Sequence, residues 1–326
     1  MEQKTIKWGI IGLGKIANKF ATDLTTVSNS KLHAVASRSA KKSKEFSKKY
    51  GVEKTYNSYE LLAKDDEIDA VYIATPHSFH KEHTILCLQH KKAVLCEKPF
   101  AMNLTEVKQM IALAKQNNVL LMEALWTYFL PHITYVLEIV NQKTFGELLE
   151  LHTDFGFRAK YDLKSRLIKK EVGGGSLLDI GIYPIFMALS TLGVPKQIDA
   201  KATFFETGAD SECNMTFNYQ NGTAKLKSTL LKETKTEAIF TFEKAVVKIN
   251  KRFHEPSTVT ILKDNSKKTI DFKYSTIGYN FEIEHFNHLL REGKKESDVM
   301  SFDFSIKLIK TIDDIRELIG LQYESF

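Results

Sequence analysis

Ile6-Lys7-Trp8-Gly9-Ile10-Ile11-Gly12-Leu13-Gly14-Lys15-Ile16-Ala17 decides how this chain folds. A short, mostly apolar run meets a glycine pair, and a helical pattern from Lys15 to Leu24 follows at once. A strand that ends in G-x-G-x-x-A and opens a helix is the context in which that spacing signals dinucleotide binding. Gly12 permits the tight turn, Gly14 lets backbone approach a pyrophosphate, and Ala17 lets helix and strand pack closely. The helix N-terminus then offers free N–H groups and positive dipole charge to phosphates. Leu13, Lys15 and Ile16 complete the expected phosphate-facing turn. Glycines also make ordinary turns, so the fingerprint gains its meaning from the strand before it and the helix after it.

Outward from this stretch, strands and helices alternate. Strands are expected at 32–37, 54–56, 70–74, 93–96 and 119–122, with helices at 41–49, 58–63, 80–89 and 104–116. Short apolar strands separated by helices imply a parallel sheet covered on both faces, wound by right-handed crossovers. After about Glu123 the pattern changes. One helix near 133–141 leads to strands at 148–157, 198–205, 213–219, 223–230, 237–242, 246–249 and 258–262, and helices at 279–291 and 301–319 close the chain. Alternation such as Asn214-Met215-Thr216-Phe217 marks a sheet with one covered face. The fold class is therefore α/β: a Rossmann doubly wound parallel sheet, then an α+β domain on a large open, mostly antiparallel sheet. Domain limits of 1–123 and 124–326 are expected, with the C-terminal helix a candidate to pack back on the first domain. The uncovered face of the second sheet predicts a homodimer or higher homo-oligomer, against the plainer reading of a solvated polar face.

The strand ends carry the chemistry. At the second, Ala36-Ser37-Arg38-Ser39 lacks the acid that bonds the ribose hydroxyls of NAD. A guanidinium pairs bidentately with a 2′-phosphate, so Arg38, with Ser37 and Lys42, predicts NADP, NAD remaining possible. Thr75-Pro76-His77 lines the next turn, and His80 opens a helix, where a structural role competes with cofactor contact. Glu97-Lys98-Pro99 ends another buried strand, and charged residues seldom lie there without a task. Gly173-Gly174-Gly175 leads into Asp179 and Tyr183, which share a face if the segment is helical; Gly181 and Pro184 favour a bend. A buried helix with a capping aspartate and a packing tyrosine is the competing reading.

Bulk properties narrow the classes. The chain has 326 residues, 43% hydrophobic and 26% charged, ordinary for a globular protein. Only six of its 46 basic residues are arginine, and the net charge of +6 is scattered, which argues against nucleic acid. Three widely spaced cysteines suggest neither a disulfide framework nor a metal site. The polar start reads as no signal peptide and no apolar run suggests a membrane span, so a cytoplasmic protein without a membrane partner is expected.

Taken together, these residues resemble the Gfo/Idh/MocA oxidoreductase family over essentially the whole chain. The match rests on Gly12 to Ala17, Ala74-Thr75-Pro76, Glu97-Lys98-Pro99, Glu123-Ala124-Leu125-Trp126, and Gly173 to Gly175 with Asp179 to Tyr183. It is closest to the branch of dimeric dihydrodiol dehydrogenase, NADP-dependent D-xylose 1-dehydrogenase and glucose–fructose oxidoreductase. The resemblance implies that Lys98 is the catalytic lysine, Tyr183 the acid/base, Asp179 the acid one turn earlier, and Trp126 a neighbour of the cofactor. It implies hydride transfer between nicotinamide and a hydroxyl-bearing carbon of a sugar, polyol or trans-dihydrodiol, with Phe157 a candidate pocket wall beside Asp179 and Tyr183. One departure stands out: Tyr128 occupies a position where the branch carries arginine. The rivals are a redox-neutral enzyme that retains its nicotinamide cofactor and a non-catalytic NADP-binding regulator.

Overall fold

The computed structural model describes residues 4–323, which form two units. One holds the residues up to Trp126 together with Ser275–Ile306; the other holds Thr127–Tyr274 and the residues from Lys307 on.

The first unit alternates β1 (Ile6–Ile11), α1 (Lys15–Leu24), β2 (Ser30–Ala36), α2 (Ala40–Tyr50), β3 (Lys54–Tyr56), α3 (Tyr59–Ala63), β4 (Ala70–Ile73), α4 (His80–Gln89), β5 (Ala93–Glu97), α5 (Leu104–Asn117) and β6 (Leu121–Ala124). The strands lie in the order β3-β2-β1-β4-β5-β6, and every pair is parallel. This is the doubly wound Rossmann arrangement, whose order reverses between β1 and β4 and so leaves a crevice at the carboxyl ends of those strands. Burial drives it: β4 and β5 are buried throughout and β1 at all but Lys7, as strands covered on both faces must be. Beneath the sheet Phe20 stacks on Tyr72 with ring centres 3.7 Å apart, and Trp8 meets Phe20 edge-on at 5.4 Å.

The second unit contains α6 (Pro131–Asn141), β7 (Leu148–Gly156), a π-helical turn (Leu177–Gly181), α7 (Ile182–Leu192), β8 (Gln197–Phe204), β9 (Asp210–Asn218), β10 (Thr223–Thr229), β11 (Ala238–Phe242), β12 (Val246–Ile249), β13 (Thr258–Lys263) and β14 (Ser266–Asp271). They form an eight-stranded sheet, β14-β13-β12-β11-β7-β10-β9-β8. All pairs are antiparallel except β7 with β10. Leu151, Phe217, Leu226 and Phe240 are buried on one face. On the other, Asp199, Thr216, Lys225 and His152 stand in register across four strands.

By length and composition alone the run Lys170–Leu192 would suit a membrane span. Its most apolar window is 94% buried, which makes it the core helix of the second unit. Two further helices are α8 (Tyr279–Arg291) and α9 (Phe302–Leu318), and α9 runs through the division between the units. The Asp23 carboxylate caps α8, accepting from the N–H groups of Ile277, Gly278 and Tyr279 at 3.2, 2.8 and 2.8 Å.

Candidate active site

The turn after β1 is built to receive a nucleotide. Gly12 has φ +90°, and a Cβ there would stand 2.7 Å from the Ala74 carbonyl oxygen, so only glycine fits between β1 and the end of β4. A Cβ on Gly14 would meet nothing within 4 Å. No side chain caps the N-terminus of α1 at Gly14. That combination of a glycine-shaped cradle and an uncapped helix start fits a dinucleotide pyrophosphate. At the end of β2, Arg38 is exposed, with its guanidinium carbon 5.9 Å from the Phe79 ring centre. Ser37 is buried, and its Oγ accepts from the Ser39 N–H at 3.1 Å; Ser39 in turn caps α2 through the Lys42 N–H, leaving the Lys42 side chain exposed.

Beyond β4, His80 ties two turns together. It is fully buried, with Nδ1 2.8 Å from the Pro99 carbonyl oxygen and Nε2 2.9 Å from that of Thr75. The Thr75 hydroxyl also meets Nδ1 of His83 at 3.0 Å, and burial pulls His83 down to about 4, keeping it neutral. His77 and Pro76 complete this turn, His77 being buried.

At the end of β5 the acid and the lysine separate. Glu97 is buried and accepts hydrogen bonds from the Tyr72 hydroxyl and, at 3.1 Å, from the Lys98 backbone N–H. Burial, then the Glu97 charge, push the Tyr72 hydroxyl well above the ordinary tyrosine range. Lys98 itself is half-buried, and the peptide joining it to Pro99 is cis. One strand away, Glu123 is buried and accepts from the Phe100 N–H at 3.0 Å; burial raises its carboxyl to about 7. Trp126 is buried, stacked on Tyr279 at 4.4 Å between ring centres.

Among the described residues His33, Asp65 and Glu67 have the spacing of metal ligands. The ammonium of Lys54 already occupies that place, 3.1 Å from Asp65 and bonded to Glu67, and the Tyr56 hydroxyl bonds Asp65 at 2.8 Å.

In the second unit the bend expected at Gly181 is the π-helical turn Leu177–Gly181, which passes directly into α7. Such insertions reshape a helix locally and recur at functional sites. This one carries Asp179, with Tyr183 on the first turn of α7. Gly175 has φ +126°, and the Cβ of any other residue would fall 2.1 Å from an Asp210 carboxylate oxygen. Asp210 accepts from the Ser176 hydroxyl at 2.6 Å and the Leu177 N–H at 2.7 Å, fixing the start of the turn. Tyr183 is 5% exposed, its ring 5.7 Å from Phe155 and 5.0 Å from His254. His254 in turn stacks on Phe155 at 4.0 Å. Asp179 accepts from Nη1 of Arg166 at 3.1 Å.

Phe157 lies just past β7, half-buried, its N–H donating to the Thr229 carbonyl at 3.1 Å. Tyr128, in the place of the expected arginine, packs edge-on against Phe186 at 4.9 Å. Sequence reasoning did not single out Arg166 or His254. Arg166 sits in a lysine-rich stretch without pattern, and His254 follows a strand end from which no motif extends. A hollow of about 730 Å³ lies on the open face of the second sheet, lined by residues such as His152, Asn214, Lys225 and Lys227, and includes no predicted site residue.

A Rossmann unit with a nucleotide cradle, joined in one chain to a mixed-sheet unit bearing a buried Asp–Tyr pair, defines an oxidoreductase that uses a nicotinamide nucleotide. The chain belongs to the Gfo/Idh/MocA family: residues 6–125 match the model for the oxidoreductase family with an NAD-binding Rossmann fold, and residues 133–244 match that for the GFO/IDH/MocA C-terminal domain. It is 34% identical to trans-1,2-dihydrobenzene-1,2-diol dehydrogenase of Xenopus tropicalis, over 97% of this chain and 99% of that protein. It is 31% identical to scyllo-inositol 2-dehydrogenase (NADP(+)) of Bacillus subtilis, over 98% of both chains. The crystal structure of a 3-ketoreductase from Actinomadura kijaniata, solved with NADP, shares the fold with a TM-score of 0.88 at 24% identity, over 97% of this chain and 98% of that one.

Proposed function

We propose that this protein is an NADP-dependent dehydrogenase of a cyclic polyol, trans-dihydrodiol or sugar. The observation that carries this reading is the buried Tyr183, walled by Phe155 and His254 and lying one turn beyond Asp179, in a chain that also bears Lys98 at a Rossmann strand end. The reaction is R₂CHOH + NADP⁺ ⇌ R₂C=O + NADPH + H⁺. Bound NADP supplies the acceptor for the hydride leaving the carbon. The protein's own groups handle the proton. A tyrosine near its ordinary pKa of about 10 is a weak base at neutral pH unless a cation favours the phenolate. We assign Tyr183 the hydroxyl proton and Lys98 the ammonium that favours its transfer. Asp179 accepts a hydrogen bond from a neighbouring substrate hydroxyl, which suits a diol or polyol better than a simple alcohol. Glu97 and His80 hold the turns that present Lys98 and Thr75.

Arg38, exposed and with no acid beside it in sequence, supports NADP over NAD. Gly12 to Ile16 and Trp126 complete the proposed cofactor contacts, with Phe157 on the substrate side. The exposed face of the second sheet, where His152 and Lys225 stand in register, leaves a surface for a homodimer, and a cytoplasmic location completes the reading. NADPH absorbance followed in both directions with scyllo-inositol, trans-1,2-dihydrobenzene-1,2-diol and aldoses tests it. Turnover of a hydroxyl compound with NADP⁺ is expected. Tight NADPH binding without any turnover would favour the regulator, and substrate conversion with no net NADPH change the redox-neutral enzyme.

A further inference from the structure

We infer that Arg166 is a positioning residue for Asp179, and that the three-glycine segment exists in part to deliver it. The inference rests on the dehydrogenase reading, since it assigns Asp179 a substrate hydroxyl.

The segment before the π-helical turn folds onto the glycines. The N–H of Gly174 donates to the Lys169 carbonyl and that of Gly175 to the Leu167 carbonyl, both at 2.9 Å. A Cβ on Gly174 would lie 2.5 Å from the carbonyl oxygens of both Arg166 and Lys169. These are backbone atoms in a tight turn, where Ile168 and Lys169 each donate to the Ser165 carbonyl at 3.1 Å, and they cannot swing aside as a side chain would. Thr207 adds a hydrogen bond to the Ile168 carbonyl, and Ile168 is fully buried. The turn is thus anchored from two sides, and Arg166 leaves it directed at Asp179.

The contact itself is asymmetric. The Arg166 side chain is 49% exposed, whereas that of Asp179 is 9% exposed. Burying a carboxylate is costly unless charge or hydrogen bonds compensate it. Among the described residues the guanidinium's one hydrogen bond, from Nη1, is to Asp179. Tyr323, which donates to the Gly174 carbonyl at 2.8 Å, feels the charges of Asp210, Arg316 and Asp179. Arg166 supplies a positive charge beside Asp179, which favours its remaining an acceptor. An acceptor bonds a substrate hydroxyl in a way a protonated acid does not.

The test compares wild type with Arg166→Met and Arg166→Lys, measuring kcat and KM across pH with the best hydroxyl substrate, and NADPH affinity by fluorescence. In Arg166→Met we expect kcat/KM to fall about tenfold or more, NADPH affinity to stay, and the acidic limb to move up by about one pH unit, the low end for loss of a neighbouring opposite charge. Arg166→Lys restores the limb. A merely structural role would lower Tm without shifting the limb. Unchanged KM and limb in an active Arg166→Met enzyme would overturn the inference and leave the dehydrogenase reading standing. Should wild type turn over no hydroxyl compound, the dehydrogenase reading fails. Arg166 is then judged by the ¹³C titration of the Asp179 carboxyl, whose midpoint rises in Arg166→Met if the inference holds and stays put if it does not.

Discussion

At the scale of single residues, the chemistry assigned to this enzyme divides between binding and proton handling. Arg38 is exposed just past β2, where it can meet an anion, with its guanidinium 5.9 Å from the Phe79 ring centre. Arg38→Ala is expected to weaken NADPH binding at least tenfold and leave NADH unchanged, read by fluorescence titration; equal loss for both would remove the 2′-phosphate assignment. Lys98, Asp179 and Tyr183 stood out in the sequence because glycine, proline and charge surround them, and their proposed roles come from the family resemblance of those motifs. Arg166 and His254 were not, because what makes them matter is a partner brought close only by folding: Asp179 for one, Phe155 and Tyr183 for the other. Glu97 was readable as a charge at a buried strand end, but its partner Tyr72 lies on a neighbouring strand and leaves no trace in local sequence.

At the scale of elements, periodicity located most strands within a residue or two, since burial alternates on the second sheet and is nearly continuous on the first. The largest slip is β9, expected from 213 but starting at Asp210; the sixth strand, expected at 119–122, runs Leu121–Ala124, its end hidden by the buried Glu123 that accepts from the Phe100 N–H. The edge strand β14 escaped because its side chains are largely exposed and show no apolar alternation. Its turn, Asp264-Asn265, has both residues at positive φ, the mirror-image geometry favoured in two-residue hairpins. The glycines make a sharper prediction. Gly174→Ala drives a Cβ onto two carbonyl oxygens and is expected to cost about 1–3 kcal/mol, seen as a lower Tm with altered activity. Gly14→Ala, which meets nothing within 4 Å, is expected to spare Tm and weaken NADPH binding instead. Similar thermal losses in both variants would contradict this division between a packing glycine and a binding one.

At the scale of the whole molecule, buried acids tie stability to pH. Glu123 is raised to about 7 by burial, so the folded protein holds its proton more tightly than the unfolded chain. Stability gained from the neutral carboxyl is complete below about pH 4.5 and is lost as pH rises through about 7, by at most about 3 kcal/mol. Glu123→Gln keeps an acceptor for the Phe100 N–H, and its Tm gain over wild type should be larger at pH 8 than at pH 5; a gain independent of pH would contradict the burial argument. The exposed face of the eight-stranded sheet predicts a dimer in sedimentation analysis, and a monomer at micromolar concentration would return that face to solvent.

The most direct test of the central claim is NADP⁺ reduction at 340 nm with scyllo-inositol, trans-1,2-dihydrobenzene-1,2-diol and a panel of aldoses, run side by side for wild type, Lys98→Met and Tyr183→Phe. The account predicts turnover by wild type with at least one of these, and a loss of about 10²–10⁴-fold in each variant with NADPH affinity retained, the range expected when acid–base help is removed. Near-wild-type turnover in either variant would contradict the role given to that residue, and silence of the wild type toward every hydroxyl compound would contradict the account itself.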